Sequence, residues 1–558
     1  MNTLKPWLEQ YSPGIPAEVD SSKYSSLNAM FEEVFATYSQ RNVVEYMGKM
    51  MSYRELDHLS KQICNFIQSL GLKKGDRVAI MLPNVFQYQI AMIGALRAGC
   101  VVVNVNPQYT ARELEYQIND SGASALIILE NFAHVFASIQ SKTNVQHVVV
   151  TSLGELIGFK GKIVDFVVRH VKKMVPAWNL PNSISFRQAL EIGSKKTFHP
   201  TQLEPSDIAF LQYTGGTTGV SKGAILTHKN ILVNVLQIEA WLDPVLKQNK
   251  FGEQLVFLCA LPLYHIFALT ACGVLCMRKG GIALFVPNPK DIPGFIKFLM
   301  KHPKIHIFPA VNTLFNALMN HPQFNEVKLP ELLATVGGGM AVQRVVAEKW
   351  KKFTGKPIIE GYGLTETSPV ACVNLALNQD YTGNVGLPVS STEVVILGDD
   401  GIEVPFGSPG EICIRGPQVM TGYWNKPEET AKALTSDGYF KSGDIGIMDE
   451  KGFTKIIDRK KDMILVSGFN VYPNELEDII ATHPGVLECA VIGVPDENSG
   501  EAVKVFIVKK DPLLTEQIIS EFCKENFTNY KRPRYIEFRT ELPKSNVGKI
   551  LRRHLRPN

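Results

Sequence analysis

The residues that carry most chemical information lie in the run Tyr213-Thr214-Gly215-Gly216-Thr217-Thr218-Gly219-Val220-Ser221-Lys222-Gly223. Its glycines let the backbone turn tightly and approach an anion, its hydroxyls donate hydrogen bonds to phosphate oxygens, and Lys222 adds a positive charge. Together these groups predict a polyphosphate clamp, the plainer alternative being a flexible Gly/Thr loop. It is not a Walker A loop, because Lys222 precedes Gly223 and no Gly-Lys-Ser/Thr follows. A second cluster is Glu360-Gly361-Tyr362-Gly363-Leu364-Thr365-Glu366-Thr367, preceded by Gly337-Gly338-Gly339-Met340. The glycines admit a flat ring, Tyr362 can stack on it, and Glu366 is a hard oxygen ligand suited to Mg²⁺ on phosphates. A glycine triplet alone is usually a turn, and a lone Glu is usually a solvated charge. Farther on, Ser442-Gly443-Asp444 offers a carboxylate able to accept both hydroxyl protons of a ribose, with Arg459 to reinforce it. The chain closes with Pro543-Lys544-Ser545-Asn546-Val547-Gly548-Lys549, whose lysine has no evident packing role.

The elements that must position these groups alternate between helical and extended patterns over most of the first 450 residues. Such alternation predicts parallel sheets covered by helices. Tyr53 to Leu70 and Gln87 to Ala98 have helical spacing. Short buried strands are predicted at Arg77 to Met81, Val101 to Val105, Ala125 to Leu129, Val148 to Thr151 and Ile305 to Pro309. From about Thr392, turn signals such as Asp399-Asp400-Gly401 predict a small β-rich subdomain. A boundary near Asp458-Arg459 then separates an amino-terminal domain, 1–458, from a carboxy-terminal α+β domain, 459–558.

With 558 residues the chain is too long for a single core and divides into domains. A net charge of +4 gives no global reason to expect nucleic acid as a partner. Nine scattered cysteines without a CxxC pair fit a reduced, cytoplasmic chain lacking a structural zinc site. Leu255 to Met277 has no formal charge and is long enough to span a bilayer, but Pro262, Tyr264 and His265 interrupt it. It therefore reads as a buried strand, a loop and a buried helix. Lys160 to Val175 places Ile163, Phe166, Val167, Val171 and Met174 at helical spacing, with Lys160, Lys162, Arg169, Lys172 and Lys173 between them and Pro176 as its stop. Such a helix either packs on the core or lies on an anionic membrane surface.

In order and spacing these motifs resemble the adenylate-forming superfamily, which includes acyl-CoA synthetases, luciferases and the adenylation domains of peptide synthetases. Within it the chain resembles the bacterial long-chain fatty-acid CoA ligases, notably over Leu211 to His228, Leu261 to Thr270, Asp458 to Glu475 and Leu542 to Arg553. It departs at Ser221, where many members carry proline.

The resemblance implies a two-step reaction: ATP and a fatty acid give an acyl-adenylate and pyrophosphate, then coenzyme A takes the acyl group and AMP leaves. It implies that Thr214, Gly215, Gly216, Thr217, Thr218, Gly219 and Lys222 hold phosphates, that Gly338, Gly339 and Tyr362 surround adenine, and that Glu360, Gly361 and Gly363 also belong to the cofactor site. Thr365 would contact the α-phosphate, Glu366 the Mg²⁺, and Asp444 with Arg459 the ribose. Lys549 would be the catalytic lysine of a mobile carboxy-terminal domain hinged at Lys461. Tyr264, His265 and Phe267 would border the acyl site. Lys531, Arg532 and Arg534 are candidates to attract the phosphates of coenzyme A. The residues also leave open a shorter or aromatic acid, a carrier protein in place of coenzyme A, or a non-catalytic fatty-acid-binding adaptor at a membrane.

Overall fold

The computed structural model describes residues 5–214, 221–249, 253–496, 499–546 and 548–556. Four sheets organise it, and the predicted alternation of helix and strand forms the first two. A seven-stranded sheet takes, in spatial order, Ile184–Ser185, His147–Thr151, Ala125–Leu129, Arg77–Met81, Val101–Asn104, Ile208–Thr214 and Lys222–Thr227. All its pairings are parallel except the last, where Ile208–Thr214 and Lys222–Thr227 run antiparallel. A nine-stranded sheet has a parallel centre running from Ile358–Gly363 through Ala334–Gly337, Ile307–Ala310, Val256–Cys259 and Ile282–Phe285 to Asn42–Tyr46. Antiparallel strands close both of its edges. Strands such as Ala125–Leu129 are buried along their whole length. That is why they read as continuous apolar runs rather than alternating ones.

The helices on these sheets start where side chains can take up the first free backbone N–H groups. Ser52 with Glu55, Thr110 with Glu113 and Thr227 with Asn230 form reciprocal capping boxes for Tyr53–Ser69, Ala111–Ser121 and His228–Leu246. The helix Ala111–Ser121 stops at Gly122, whose φ of 62° suits the left-handed cap.

The strand expected at Ile305 to Pro309 begins two residues later, at Ile307. Leu255 to Met277 folds as the strand Val256–Cys259, a turn and a buried helical run from Ile266. No helix among the described residues is long and apolar enough to cross a membrane. All nine cysteines are buried and unpaired with one another.

A four-stranded antiparallel sheet, Glu393–Leu397, Gly410–Arg415, Phe440–Met448 and Thr454–Arg459, forms the β-rich part. A smaller sheet follows from Ile464, in which Val486–Asp496 and Gly500–Lys509 pair over their length and Tyr535–Arg539 adds in parallel. The fold is thus a large α/β amino-terminal domain of mixed sheets with a small, largely antiparallel carboxy-terminal domain.

The segment from Lys160 is helical, as its spacing predicts, but most of its apolar row does not pack on the core. Its helix runs Phe159–Phe166, continues as a wider π turn over Val167–Val171, and ends at Lys173 with φ of 50°, three residues before Pro176. It rests on the domain through its smallest residue: a Cβ on Gly161 would lie 1.8 Å from the carbonyl oxygen of Gly154. Val168 points inward. Phe159, Ile163, Phe166, Val171 and Met174, by contrast, are exposed, Phe159 by 79%.

Candidate active site

The two large sheets, the four-stranded sheet and the small domain all line a cavity of about 1510 Å³. Strand geometry explains what meets there. The strands Ala334–Gly337 and Ile358–Gly363 are parallel neighbours with Gly337 opposite Glu360, so the glycine triplet and the glycine-tyrosine run end on the same rim. Gly338 has the Phe267 ring 3.2 Å and the Gly361 carbonyl oxygen 3.3 Å from where a Cβ would sit. Gly363 is more constrained, since its Cβ would fall 1.8 Å from the Pro369 oxygen. Glycine is therefore required for the backbone to pack as it does at Gly363, whereas at Gly338 a side chain would need the Phe267 ring to yield by a few tenths of an ångström.

Beside this rim, Asp444 and Arg459 are cross-strand partners in the four-stranded sheet. Arg459 Nε lies 3.3 Å from Asp444 Oδ1, and the Tyr362 hydroxyl donates to Asp444 Oδ2 at 2.7 Å. Asp444 is thus oriented by two donors before any ligand arrives. This use of Tyr362 went unforeseen, because a Tyr-Asp pair 82 residues apart leaves no local pattern. Glu360 is also buried, and burial reinforced by Asp478 pushes its carboxyl up to about 8.

Glu366 sits deeper and is 7% exposed. The Tyr423 hydroxyl donates to its Oε1 at 2.7 Å, and burial holds its carboxyl above the usual range. Lys222 stands over the Tyr423 ring at 4.4 Å and pairs with Glu429 Oε2 at 3.1 Å. Tyr423 and Glu429 were absent from the sequence-based candidates, and their own motifs look like an ordinary turn and helix start. Among the described residues no group of three or more His, Cys, Asp or Glu is placed to hold a metal. The donor set at Glu366 fits Mg²⁺ as a single protein oxygen on an ion that triphosphate and water would otherwise coordinate.

Lys549 reaches the cavity from the carboxy-terminal domain on a tight hairpin in which Ser545 N donates to Lys549 O at 2.7 Å. The hairpin docks on the large domain where the Thr313 hydroxyl donates to Gly548 O at 3.0 Å. Burial, with Arg459 nearby, lowers the Lys549 ammonium to about 7. It also faces His265, which burial keeps neutral down to about pH 4. His265 itself accepts the Phe267 backbone N–H at 3.4 Å, and the Tyr264 carbonyl is held by Gln212 at 2.6 Å.

The candidates for nucleotide, metal, acyl group and hinge that fall within the described residues line this cavity: Thr214, Lys222, Tyr264, His265, Phe267, Gly338, Gly339, the stretch 360–363, Thr365, Glu366, Asp444, Arg459, Lys461 and Lys549. Gly215, Gly216, Thr217, Thr218 and Gly219 lie outside the described residues. The basic candidates for coenzyme A do not join them. Lys531 is paired with Glu475, Arg534 with Asp496, and Arg532 with the carbonyls of Phe527 and Lys524. Lys531 and Arg534 thus form ion pairs within the small domain, while Arg532 donates to uncharged oxygens there.

The AMP-binding enzyme family profile matches residues 31–424, and the profile of that family's carboxy-terminal domain matches 475–549. The chain belongs to the AMP-binding enzymes. Relatives in this family include the long-chain-fatty-acid–CoA ligase of Escherichia coli O157:H7, 52% identical over 99% of this chain and 98% of its own. The enzyme of the same name from Bacillus subtilis (strain 168) is 36% identical over the whole of this chain and 98% of its own. Among solved structures, ATP-bound MatB from Rhodopseudomonas palustris superposes with a TM-score of 0.78 at 26% identity, covering 95% of this chain and 98% of that one. The Mycobacterium tuberculosis fatty acyl CoA synthetase gives 0.68 at 26% identity, covering 96% and 98%.

Proposed function

We propose that this AMP-binding enzyme ligates a long-chain fatty acid to coenzyme A through an acyl-adenylate. The observation that carries the reading is the composition of this cavity. The phosphate-binding and ribose-binding candidates share it with an apolar lining of Trp241, Leu242, Phe257, Leu275, Ile307 and Val336. An anion-binding end joined to an apolar one suits a nucleotide beside an alkyl chain.

In the first step a carboxylate oxygen attacks the α-phosphorus and the bond to pyrophosphate breaks. No general base is needed, since a carboxylic acid is ionised at neutral pH. Positioning and charge neutralisation then supply the rate. Lys222 would exchange Glu429 for the phosphates, Thr365 would donate to the α-phosphate, and Asp444 with Arg459 would fix the ribose. Mg²⁺, held by Glu366, would offset charge on the phosphate oxygens. Lys549 would stabilise the charge that develops between the carboxylate and the α-phosphate. In the second step the thiol of coenzyme A attacks the acyl carbonyl, a C–S bond replaces the C–O bond to the adenylate, and AMP leaves. Rotation of the carboxy-terminal domain about Lys461 would remove Lys549 and admit the thiol.

Pyrophosphate release across acids of increasing length, with and without coenzyme A, tests this reading. Each added methylene is worth about 0.8 kcal/mol on burial, so apparent affinity should rise about fourfold per carbon until the lining is filled. An enzyme inactive on chains of about twelve carbons or more would refute the long-chain assignment.

One further feature favours a reversible stay at an anionic membrane. The exposed row Phe159, Ile163, Phe166, Val171 and Met174 is flanked by the exposed Lys160, Lys162, Lys172 and Lys173. Apolar residues entering the lipid with cations at headgroup level is the pattern of an interfacial helix. Arg169 belongs to a different task, because its guanidinium pairs with the buried Glu130 at 2.8 Å and anchors the helix.

A further inference from the structure

Asp458 is fully buried beside the cavity, three residues before Lys461, and the mechanism above does not use it. Its Oδ1 accepts the Arg459 backbone N–H at 2.7 Å and Arg552 Nη1 at 3.1 Å, and its Oδ2 accepts the Asn474 backbone N–H at 2.7 Å. Arg552 is as closely held. Its Nε and Nη2 bind the two oxygens of Glu477 at 3.0 and 2.7 Å, and Nη2 also donates to the Asn474 side-chain oxygen. Asp462 lies 3.7 Å from Nη1 and in turn takes Arg556 at 2.9 Å.

These contacts divide unequally about Lys461. Glu477, Asn474, Asp462, Arg552 and Arg556 follow it in the chain and would move together. Asp458 precedes it, on the last strand of the four-stranded sheet. Two of the three donors to Asp458 therefore lie across the pivot. A rotation at Lys461 would strip Asp458 of Arg552 and of Asn474 N, while Arg552 would keep Glu477. A buried carboxylate that loses its charged partner is strongly disfavoured, whereas the partner that retains a second carboxylate is not. The contact thus favours one arrangement only. Arg552 also lies three residues after Lys549, at the foot of the hairpin whose other side docks on Thr313 through Gly548.

We propose that the Asp458–Arg552 contact is a latch that holds the carboxy-terminal domain in the arrangement placing Lys549 in the cavity. Asp458 and Arg552 are then positioning residues for adenylation and not for thioester formation. The inference rests on the two-step reading given above.

The test separates the half-reactions in Asp458→Asn, which keeps shape and removes charge. Losing one charge-assisted contact across the pivot should lower single-turnover pyrophosphate release by about 10- to 100-fold. Thioester formation from supplied acyl-adenylate and coenzyme A should stay within about twofold of wild type or quicken. Competitive acetylation followed by mass spectrometry should show Lys549 labelled faster than in wild type, relative to surface lysines. Arg552→Gln, scored on the same assays, should show the same split, and covers the case in which Asp458→Asn does not fold. Equal loss of both half-reactions in a variant that melts normally, or loss of neither, overturns the latch. Failure of the two-step reading would appear separately, as a wild-type enzyme that releases no pyrophosphate or does not consume acyl-adenylate.

Discussion

The depressed ammonium of Lys549 leads to a proton count on nucleotide binding. Without ligand, burial and Arg459 hold this group at about 7 rather than the usual 10.5. The sign follows directly: below pH 7 the burial of a charged lysine opposes docking of its hairpin in full, and that opposition fades as pH rises towards 10.5, where the lysine is neutral docked or free. A triphosphate entering the cavity reverses the balance by favouring the charged form. Near pH 8 a group with a pKa of about 7 is about one-tenth protonated, so binding that restores its ordinary pKa takes up about 0.9 proton. The uptake should fall to about 0.5 near pH 7 and about 0.1 near pH 6. Calorimetric titration of a non-hydrolysable ATP analogue, in buffers of different ionisation enthalpy, reads this number. Glu360 at about 8 and Asp478 at about 6 titrate in the same range, so the quantity to compare is wild type minus Lys549→Met. A difference near zero at pH 8, or one that grows towards pH 6, would refute the reasoning.

Three other outcomes are expected. Glu366→Gln should lower pyrophosphate release by about 10²- to 10³-fold while leaving fatty-acid affinity and thermal melting near wild type; equal loss of release and affinity would point to misfolding instead. Gly363→Ala forces a Cβ against the Pro369 oxygen, so the segment bearing Thr365 and Glu366 must shift; adenylation and melting temperature should both drop, and an alanine variant with wild-type values would contradict the packing. Reversing Lys160, Lys162, Lys172 and Lys173 to glutamate should reduce sedimentation with anionic vesicles and spare activity on detergent-dispersed acid, whereas unchanged sedimentation would remove the membrane reading.

Much of the architecture was legible because its signals are local. The strands Arg77–Met81 and Ala125–Leu129 are short apolar runs between turn residues, and the helix Tyr53–Ser69 keeps one periodic face behind a Ser-Glu capping box. The candidate site was legible for a related reason: glycines, hydroxyls and a lysine within one decapeptide can be read without knowing what lies across the cavity. The resemblance to adenylate-forming enzymes added the roles proposed for Lys549 and Lys461, which no local chemistry assigns.

What the sequence determined by itself is therefore the set of elements and the candidate groups proposed to bind phosphate, ribose and a cation, since each depends on neighbours in the chain. Tertiary structure alone decided which partners those groups meet. Tyr423 reaches Glu366 across 57 residues, Tyr362 reaches Asp444 across 82, and Arg552 reaches Asp458 across 94. It also decided that the apolar side of the helix from Phe159 faces outward: Gly161 lets the helix lie close against Gly154, and Val168 is the residue turned inward. Periodicity marks an apolar face, but whether protein covers that face depends on surfaces brought up from elsewhere in the chain.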